Sequence, residues 1–563
     1  MENIFQLLAA TATSAPDDIA LINENMKFSY QSLTRLSERV RDAVIELGLE
    51  KLDRVAIFLE KRFEAAAAIF GAACAGVVFV PINPQLKPHQ VRHVIRDSGA
   101  RLLITTIARY PAFIDELGNI PLHVLLCDSK REDEDEELAG AEHTLHRWGD
   151  LVLGDIGRKQ SWRVIDQDPA AILYTSGSTG APKGIVLSHE NLRAGALSVN
   201  QYLGNTADDV ILSLLPLSFD AGLSQLTTSV AAGARLILHN YLRPYEVVNV
   251  CKLHRVTSIT AVPPLWMQLA LADWTDQKAT ANLRVFANTG GHMPRDLLSR
   301  LRQIFPQAKP YLMYGLTEAF RSTYLPPDQV DERPESIGKA VPNAEIHVLR
   351  PDGTACDADE SGELVHRGAF VTLGYWNDPE RTALRFRPFP AVLPGIPPRD
   401  IAVWSGDTVK MDRDGFLYFI GRTDEMIKTS GYRVSPTEVE EIIYGSGLVK
   451  ENAIAGLPHP VLGQAIAAFV VPTTQPFARS HLLAHCRKHL PTYMVPSLVI
   501  EMDELPRNMN GKIDRKELAA RHMSHFVGAG TKGQSASPAI HDQEFEMSEM
   551  NKNKMAVAPE AVE

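Results

Sequence analysis

Residues 173–184 combine glycines, hydroxyl side chains and one lysine in a spacing that suits a polyphosphate ligand. Glycines tolerate positive φ and leave backbone N–H groups uncovered, so a glycine-rich loop can form an anion-binding concavity. Hydroxyls add hydrogen-bond donors or metal ligands, and Lys183 supplies a point charge. A Walker A loop is excluded, because Pro182 precedes the lysine and Gly184 follows it. The stretch therefore predicts a phosphate-binding loop of another type.

Further short motifs along the chain carry residue types that nucleotide chemistry uses. One offers an aromatic ring, a hydroxyl and a carboxylate close together, and another offers a second lysine near the C-terminus. Each string alone is weak evidence, but their joint order and spacing argue strongly against coincidence. In chain order the motifs are Pro81-Ile82-Asn83-Pro84, Gly290-Gly291-His292, Tyr314-Gly315-Leu316-Thr317-Glu318, Ser405-Gly406-Asp407, Gly421-Arg422-Thr423-Asp424 and Asn510-Gly511-Lys512.

Together the loop and these motifs resemble the AMP-forming acyl-CoA synthetase, peptide-synthetase adenylation-domain and luciferase superfamily, in order and up to Leu518. The resemblance implies a ligase that adenylates a carboxylic acid, releases pyrophosphate and transfers the acyl group to a thiol. Joining a carboxylate to the α-phosphate of ATP brings like charges together, so such a site must supply positive charge and hold the atoms in line. The implied cofactors are ATP and Mg²⁺.

The resemblance also implies roles for individual residues. Lys183, Glu318, Arg433 and Lys512 are the implied catalytic residues, with Lys512 bridging the substrate carboxylate and the ATP oxygens. Thr175 and Glu318 would support Mg²⁺, which prefers few protein oxygens alongside phosphate oxygens. The implied ATP contacts are Thr175, Ser176, Gly177, Ser178, Thr179 and Gly180 at the phosphates, Gly290, Gly291 and Tyr314 at the adenine, Gly315 and Thr317 near the α-phosphate, and Asp407 with Arg422 at the ribose.

The implied second half-reaction uses a thiol acceptor, with CoA as the default and a phosphopantetheine carrier protein as the alternative. In the resembled family the small C-terminal domain swings about the residue that matches Asp424. That movement would withdraw Lys512 and present Lys428 and Gly431 on the thiol side. A hinge is physically reasonable here, because one site must favour two transition states in turn.

The acyl pocket is expected around Phe219 and Asp220, which close the apolar run 214–220. This pair looks more like peptide-synthetase adenylation domains, where an aspartate receives a substrate amino group, than like many fatty or aryl ligases. Asp220 could equally be the N-cap of a helix over 221–230. Both interpretations stay open, and so does the identity of the acid.

The elements that must position these residues alternate between helices and short apolar strands. Such alternation predicts an α/β multidomain fold with helix-covered parallel sheets in a large N-terminal domain. From Pro342 short alternating strands and turns predict a β-rich subdomain, and a small α+β domain follows. The expected boundaries are 1–421 for the large domain with the β-rich part at 342–421, 422–424 for the hinge, 425–518 for the small mobile domain, and 519–563 for a disordered tail.

Composition narrows the function class further. A chain of 563 residues with a net charge of −11 lacks the basic surface that nucleic-acid binding requires. The five cysteines are scattered without short pairing, which favours neither disulfides nor a zinc site. Residues 1–5 lack the order of a signal peptide, and no apolar run has the length of a membrane span. We expect a cytoplasmic enzyme without a membrane span.

Two rival classes remain at this stage. A kinase or NTPase is disfavoured by the failed Walker A spacing and by the absence of kinase loops. A degenerate nucleotide-binding partner is disfavoured by the presence of both Glu318 and Lys512. AMP as product would exclude the first rival, and pyrophosphate exchange with any acid would exclude the second.

Overall fold

The structure is a computed structural model, and it describes residues 2–128, 143–175, 182–291, 293, 295–389, 400–422, 426–506 and 513–526. Within this part of the chain, strands and helices alternate up to residue 314 and strands dominate from there to residue 422. The helices are Phe5–Ser14, Tyr30–Glu46, Phe63–Ala75, Pro88–Ser98, Ile114–Leu117, Trp148–Leu151, His189–Leu203, Asp220–Ala232, Pro244–His254, Pro263–Ala270, Arg295–Ile304, Pro379–Arg385, Pro436–Gly445, Arg479–His489 and Arg515–His522.

The strands form three sheets. In chain order they are β1 Ile19–Asn23, β2 Met26–Ser29, β3 Arg54–Ile57, β4 Val78–Pro81, β5 Ala100–Thr105, β6 Leu122–Leu126, β7 His143–Arg147, β8 Pro169–Thr175, β9 Lys183–Ser188, β10 Val210–Ser213, β11 Arg235–Leu238, β12 Ser258–Ala261, β13 Val285–Asn288, β14 Lys309–Tyr314, β15 Thr323–Leu325, β16 Ser336–Ala340, β17 Ala344–Leu349, β18 Ser361–Gly368, β19 Gly374–Tyr375, β20 Phe386–Pro388, β21 Ile401–Met411, β22 Leu417–Arg422, β23 Ile427–Thr429, β24 Tyr432–Val434, β25 Val449–His459, β26 Gly463–Pro472 and β27 Leu498–Glu501.

The largest sheet has 14 strands in the order β17-β18-β21-β22-β16-β15-β14-β13-β12-β10-β11-β1-β2, with β20 paired to β21. Its half from β14 to β11 is parallel, as the alternation of strands and helices predicts. From β15 onward the pairing is antiparallel. The β-rich segment is therefore not a separate layer. It continues the parallel sheet through the β14-β15-β16 junction.

The second sheet has eight strands in the order β19-β9-β8-β4-β3-β5-β6-β7. Its centre is parallel, while β8 and β9 pair antiparallel on either side of the predicted phosphate loop. Ser188 caps the next helix, accepting a hydrogen bond from the Asn191 backbone N–H at 3.1 Å. The helix His189–Leu203 packs between the two large sheets and contributes its apolar face to their shared core.

The small C-terminal domain is an α+β unit built on the sheet β24-β23-β26-β25, with β27 beside β26. Because side chains alternate across a strand, this sheet buries two different faces. One face packs against the helices Pro436–Gly445 and Arg479–His489, and the other packs against Leu505 and Leu518. The predicted α/β class with a small α+β domain is confirmed. The 11-residue strand β25 was missed, and the boundaries near residue 422 stay predictions.

Within the described ranges, no helix combines the length and apolar character that crossing a membrane would require.

The substitution Gly338→Ala tests the junction between the parallel and antiparallel halves of the large sheet. The φ of Gly338 is +84°, and an added Cβ would lie 1.9 Å from the Tyr324 carbonyl oxygen on β15. We expect Gly338→Ala to lower the free energy of unfolding by about 2–4 kcal/mol, because backbone strain and overpacking add. Gly353→Ala is the matched control, since its φ is +85° and an added Cβ there meets no described atom within 4 Å. Urea denaturation that gave equal losses would contradict the close-approach explanation.

Candidate functional site

Glu318 is the centre of a cluster of charges at the carboxyl end of β14. It lies on a short 3₁₀ turn, Thr317–Ala319, and its side chain is 5% exposed. The Lys183 Nζ approaches its Oε1 at 3.2 Å, the Tyr375 hydroxyl donates to the same oxygen at 2.8 Å, and the Arg433 guanidinium lies 3.6 Å from Oε2. The backbone N–H and the hydroxyl of Thr372 both donate hydrogen bonds to the Glu318 backbone carbonyl and hold the turn in place. The carboxylate is thus held by groups from three separate segments.

The charges of this cluster depend on one another. Burial raises the pKa of Glu318, but the Lys183 and Arg433 cations outweigh burial and hold that pKa well below its usual range. Burial lowers the pKa of Lys183, and Glu318 opposes that shift. Burial and the Glu318 charge raise the pKa of Tyr375, which keeps its hydroxyl a donor. The Oε2 atom of Glu318 is buried and has no hydrogen-bond partner among the described residues.

The arms of the predicted phosphate loop are described, but its tip is not. Thr175 pairs directly with Lys183 across β8 and β9, and directly paired residues place their side chains on one face of a sheet. Thr175 therefore shares a face with Lys183, whose ammonium contacts Glu318. The predicted phosphate contacts at Ser176, Gly177, Ser178, Thr179 and Gly180 lie outside the described residues.

The predicted ribose and adenine residues also meet. Asp407 on β21 is fully buried and accepts a hydrogen bond from the Tyr314 hydroxyl. The Lys428 Nζ on β23 lies 4.0 Å from the Asp407 carboxylate and 4.6 Å from the centre of the Phe419 ring. A strand of the small domain thus lies across the predicted ribose pocket. Arg422 pairs with Asp407 in backbone register, and its side chain is outside the described set.

A close backbone approach between the two domains joins Gly431 to Gly290. A Cβ added to Gly290 would lie 3.4 Å from the Gly431 Cα. A Cβ added to Gly431 would lie 2.8 Å from the Val262 Cγ1, and the φ of Gly431 is +83°. Only glycine combines that φ with that space. The turn before β24 therefore docks against the segment that was predicted to approach adenine.

The predicted acyl-pocket residues contact the small domain as well. The Phe219 ring meets the Tyr432 ring edge-on at 4.7 Å, and Tyr432 stacks on Tyr493 at 3.5 Å. Asp220 is the first residue of the helix Asp220–Ala232, whose N-cap is Phe219. The N-cap interpretation of Asp220 is therefore wrong by one position. Its carboxylate instead accepts a hydrogen bond from the Ala221 backbone N–H at 2.6 Å.

Two further predicted residues, Lys512 and the hinge residue Asp424, lie outside the described residues. On either side of the undescribed segment that contains Lys512, the Asp514 N–H donates a hydrogen bond to the Pro506 carbonyl at 2.8 Å. Leu505 and Leu518 belong to the face of the small sheet that packs away from the helix Pro436–Gly445. Arg515, closer to Lys512 in sequence, instead pairs with Glu440 on that helix at 2.7 Å.

Sequence reasoning missed Tyr375 and the contact between Glu438 and Gln90. Tyr375 lies in a two-residue strand that pairs with β9, and no glycine or charge pattern marks it. Glu438, on the helix Pro436–Gly445, accepts a hydrogen bond from the Gln90 amide of the large domain at 2.8 Å. That pairing depends on how the domains dock, so local sequence carries no signal for it.

Most of the chain is similar to known proteins. The sequence profile of the AMP-binding enzyme family matches residues 8–376, and that of the AMP-binding enzyme C-terminal domain matches residues 438–512. A long-chain-fatty-acid–CoA ligase from Yersinia pestis is 29% identical over 547 residues, which cover 92% of this chain and 94% of the ligase. Gramicidin S synthase 2 from Aneurinibacillus migulanus is 27% identical over 523 residues. That match covers 92% of this chain and 11% of the synthase.

A solved structure shows the same fold over almost its whole length. The o-succinylbenzoate CoA synthetase from Bacillus subtilis, a double mutant bound to a product analogue, superposes with a TM-score of 0.76 at 26% identity. The superposition covers 92% of this chain and 98% of that synthetase. Both the large and the small domain therefore have counterparts in known proteins.

The Glu438 contact predicts a pH dependence of domain docking. Burial raises the pKa of Glu438 to about 7, with Glu441 adding to the shift and Gln90 opposing it. The docked carboxyl thus holds its proton at pH values where an undocked one is ionised. The stabilisation is fully present below the ordinary glutamate pKa of 4.5 and is lost as the pH rises through about 7.

Glu438→Gln tests this dependence. We expect the urea midpoint of small-domain unfolding in the native chain to fall, relative to the variant, as the pH rises from about 5 to about 8. The expected change in the free energy of unfolding over this pH range is on the order of 3 kcal/mol. Parallel pH profiles for the two proteins would show that this carboxyl does not titrate on docking.

Proposed function

Because this chain belongs to the AMP-binding enzyme family, we propose that it is an acid–thiol ligase that works in two steps at one ATP site. In the first step a carboxylate oxygen attacks the α-phosphorus of ATP, the bond to the β-phosphate oxygen breaks, and pyrophosphate leaves. In the second step a thiolate sulfur attacks the acyl carbonyl carbon, and AMP leaves. The observation that carries this proposal is the convergence of Lys183, Arg433 and Tyr375 on the buried Glu318.

Magnesium would be held by Glu318 and Thr175. The Glu318 Oε2 is buried without a hydrogen-bond partner among the described residues, and one carboxylate beside a hydroxyl fits an ion that keeps mostly phosphate oxygens and water. When bound, the ion would neutralise charge on the departing pyrophosphate. Lys183, which belongs to the large domain, is a preorganised cation beside the same carboxylate, so it would stabilise the added negative charge without reorganising.

The remaining proposed contacts are those that the family resemblance implies. Asp407 would accept from the ribose hydroxyls, and Tyr314, which Asp407 already holds in place, would stack on the adenine. Gly290, Gly291, Gly315 and Thr317 would line the path between adenine and the α-phosphate. The loop Ser176, Gly177, Ser178, Thr179 and Gly180 would wrap the β- and γ-phosphates, and Arg422 would assist at the ribose.

We propose that the small domain uses its two sides in turn. The docked side carries Lys428 and Gly431, which suits the thiol step. Lys512 is the small-domain residue that the family resemblance implies for the adenylation step, and a rotation about Asp424 would exchange it for the docked side. The hinge at 422–424, the small domain at 425–518 and the tail at 519–563 belong to this proposal.

CoA is the proposed acceptor, because the relative that matches over 94% of its own length is a CoA ligase. The alternative is a stand-alone amino-acid ligase that loads a carrier-protein phosphopantetheine. That alternative draws on the gramicidin S synthase match and on Asp220, whose carboxylate at the helix start could receive a substrate amino group. We place the enzyme in the cytoplasm, where ATP and CoA are available.

The proposal is tested by ATP–pyrophosphate exchange with a panel of fatty, aryl and amino acids, followed by mass spectrometry of thioesters formed on CoA. We expect pyrophosphate exchange with at least one acid, and AMP as the nucleotide product. Glu318→Gln removes the charge at near-constant volume, so we expect it to lower the exchange rate by more than about a hundredfold. Glu345→Gln, at a largely exposed carboxylate on β17, is the matched control and should keep full activity. Exchange with none of the acids would overturn the proposed function.

Gly431→Ala should separate the two steps. The added Cβ would meet Val262 in the docked arrangement, so we expect thioester formation to fall at least about tenfold while pyrophosphate exchange stays within a factor of about two. Gly447→Ala, which also has positive φ but meets no described atom within 4 Å, should change neither step. Equal loss of both steps in Gly431→Ala would contradict the assignment of this docked side to the thiol.

A further inference from the structure

Arg321 is a buried cation beside the predicted acyl pocket. It lies three residues after Glu318 and is 6% exposed. Its two terminal nitrogens donate to backbone carbonyls, one to Phe320 at 3.1 Å and the other to Asp220 at 3.3 Å. The Nε atom is buried and has no hydrogen-bond partner within the described part of the chain. The guanidinium thus reaches the first turn of the acyl-pocket helix with one donor unused.

No described carboxylate lies within 4 Å of this guanidinium. The Asp220 carboxylate, the nearest acid along the helix, is already engaged with the Ala221 backbone. Two carbonyl dipoles and the face of the Phe320 ring, whose centre is 5.1 Å away, compensate the charge only in part. Burying a charge without a counter-ion is costly, and a buried donor without a partner adds to that cost. A buried arginine without a described counter-ion, beside the predicted acyl pocket, is therefore suited to a ligand anion.

The neighbouring side chains make the same region polar. Ser218, in the loop before the helix, and Gln225, on its second turn, are both buried and each has a polar atom without a described partner. The Gln225 amide nitrogen donates to the Leu212 carbonyl at 3.0 Å, so its oxygen is the atom left over. Buried polar atoms are almost always hydrogen-bonded in folded proteins. Two such exceptions, one in the loop before this helix and one on its second turn, suit a polar substrate better than a plain hydrocarbon chain.

We propose that the acid activated by this enzyme carries a second anionic group, remote from the reacting carboxylate, and that Arg321 binds it. This inference rests on the proposed function and narrows it to dianionic acids, such as dicarboxylates. The Arg321 guanidinium would pair with the remote anion through the unused Nε–H.

The selectivity of the native enzyme is the first test. Pyrophosphate exchange is measured with hexanedioate and decanedioate, and with the chain-matched monoacids hexanoate and decanoate. A charge-assisted hydrogen bond is worth about 1.5–3 kcal/mol, so we expect kcat/KM to be roughly ten- to a hundredfold higher for the dicarboxylates. Equal or better activity with the monoacids would overturn the role of Arg321 while leaving the ligase function intact.

Two variants then separate recognition from folding. Arg321→Met keeps the length and apolar body of the side chain, and we expect it to lose the preference mainly through KM for the dicarboxylate while the monoacid rate holds or rises. Arg321→Lys keeps the charge and should recover part of the preference. If Arg321 only ties the loop to the helix, Arg321→Met would lower kcat/KM equally for the dicarboxylate and for the monoacid. Failure of every acid with the native enzyme would instead overturn the ligase function and this inference together.

Discussion

The whole arrangement depends on keeping the Glu318 carboxylate charged inside the protein. A carboxylate removed from water must be matched by cations and donors held at short range, and here Lys183, Arg433 and Tyr375 provide them. Each comes from a different segment: the start of β9, the strand β24 of the small domain, and the edge strand β19. In this docked arrangement the carboxylate joins the second sheet, the β14 turn and the small domain, and Lys183 beside it supplies positive charge for the chemistry proposed for ATP.

Sequence reasoning reached the local features of this site. Glycines, hydroxyls and single charges have fixed local consequences, so a loop between Thr175 and Lys183 could be predicted from spacing, whereas Glu318 was implied by the family resemblance alone. The pairing of Asp407 with Tyr314 could be expected only through the family resemblance, because 93 residues separate them. Fold class followed from the alternation of helices and strands, which is a strong signal over a long chain.

What escaped prediction depends on contacts between distant segments. The continuity of the large sheet through β15 and β16 arises from pairing that no periodicity encodes. Tyr375 is an ordinary aromatic in sequence and becomes part of the site only because β19 pairs with β9. The Asp220 cap was misplaced by one residue, an error typical of helix boundaries. The docking of Glu438 on Gln90 and of Tyr432 on Phe219 requires the relative placement of two domains.

The central claim is that an acid oxygen attacks the α-phosphorus of ATP at the Glu318 cluster. The most direct measurement follows that oxygen. An accepted acid is labelled with heavy oxygen in its carboxyl group, the enzyme is supplied with ATP and CoA, and the products are analysed by mass spectrometry. The account predicts one heavy oxygen in AMP for each thioester formed and none in pyrophosphate. Heavy oxygen in inorganic phosphate, with ADP as the nucleotide product, would contradict it.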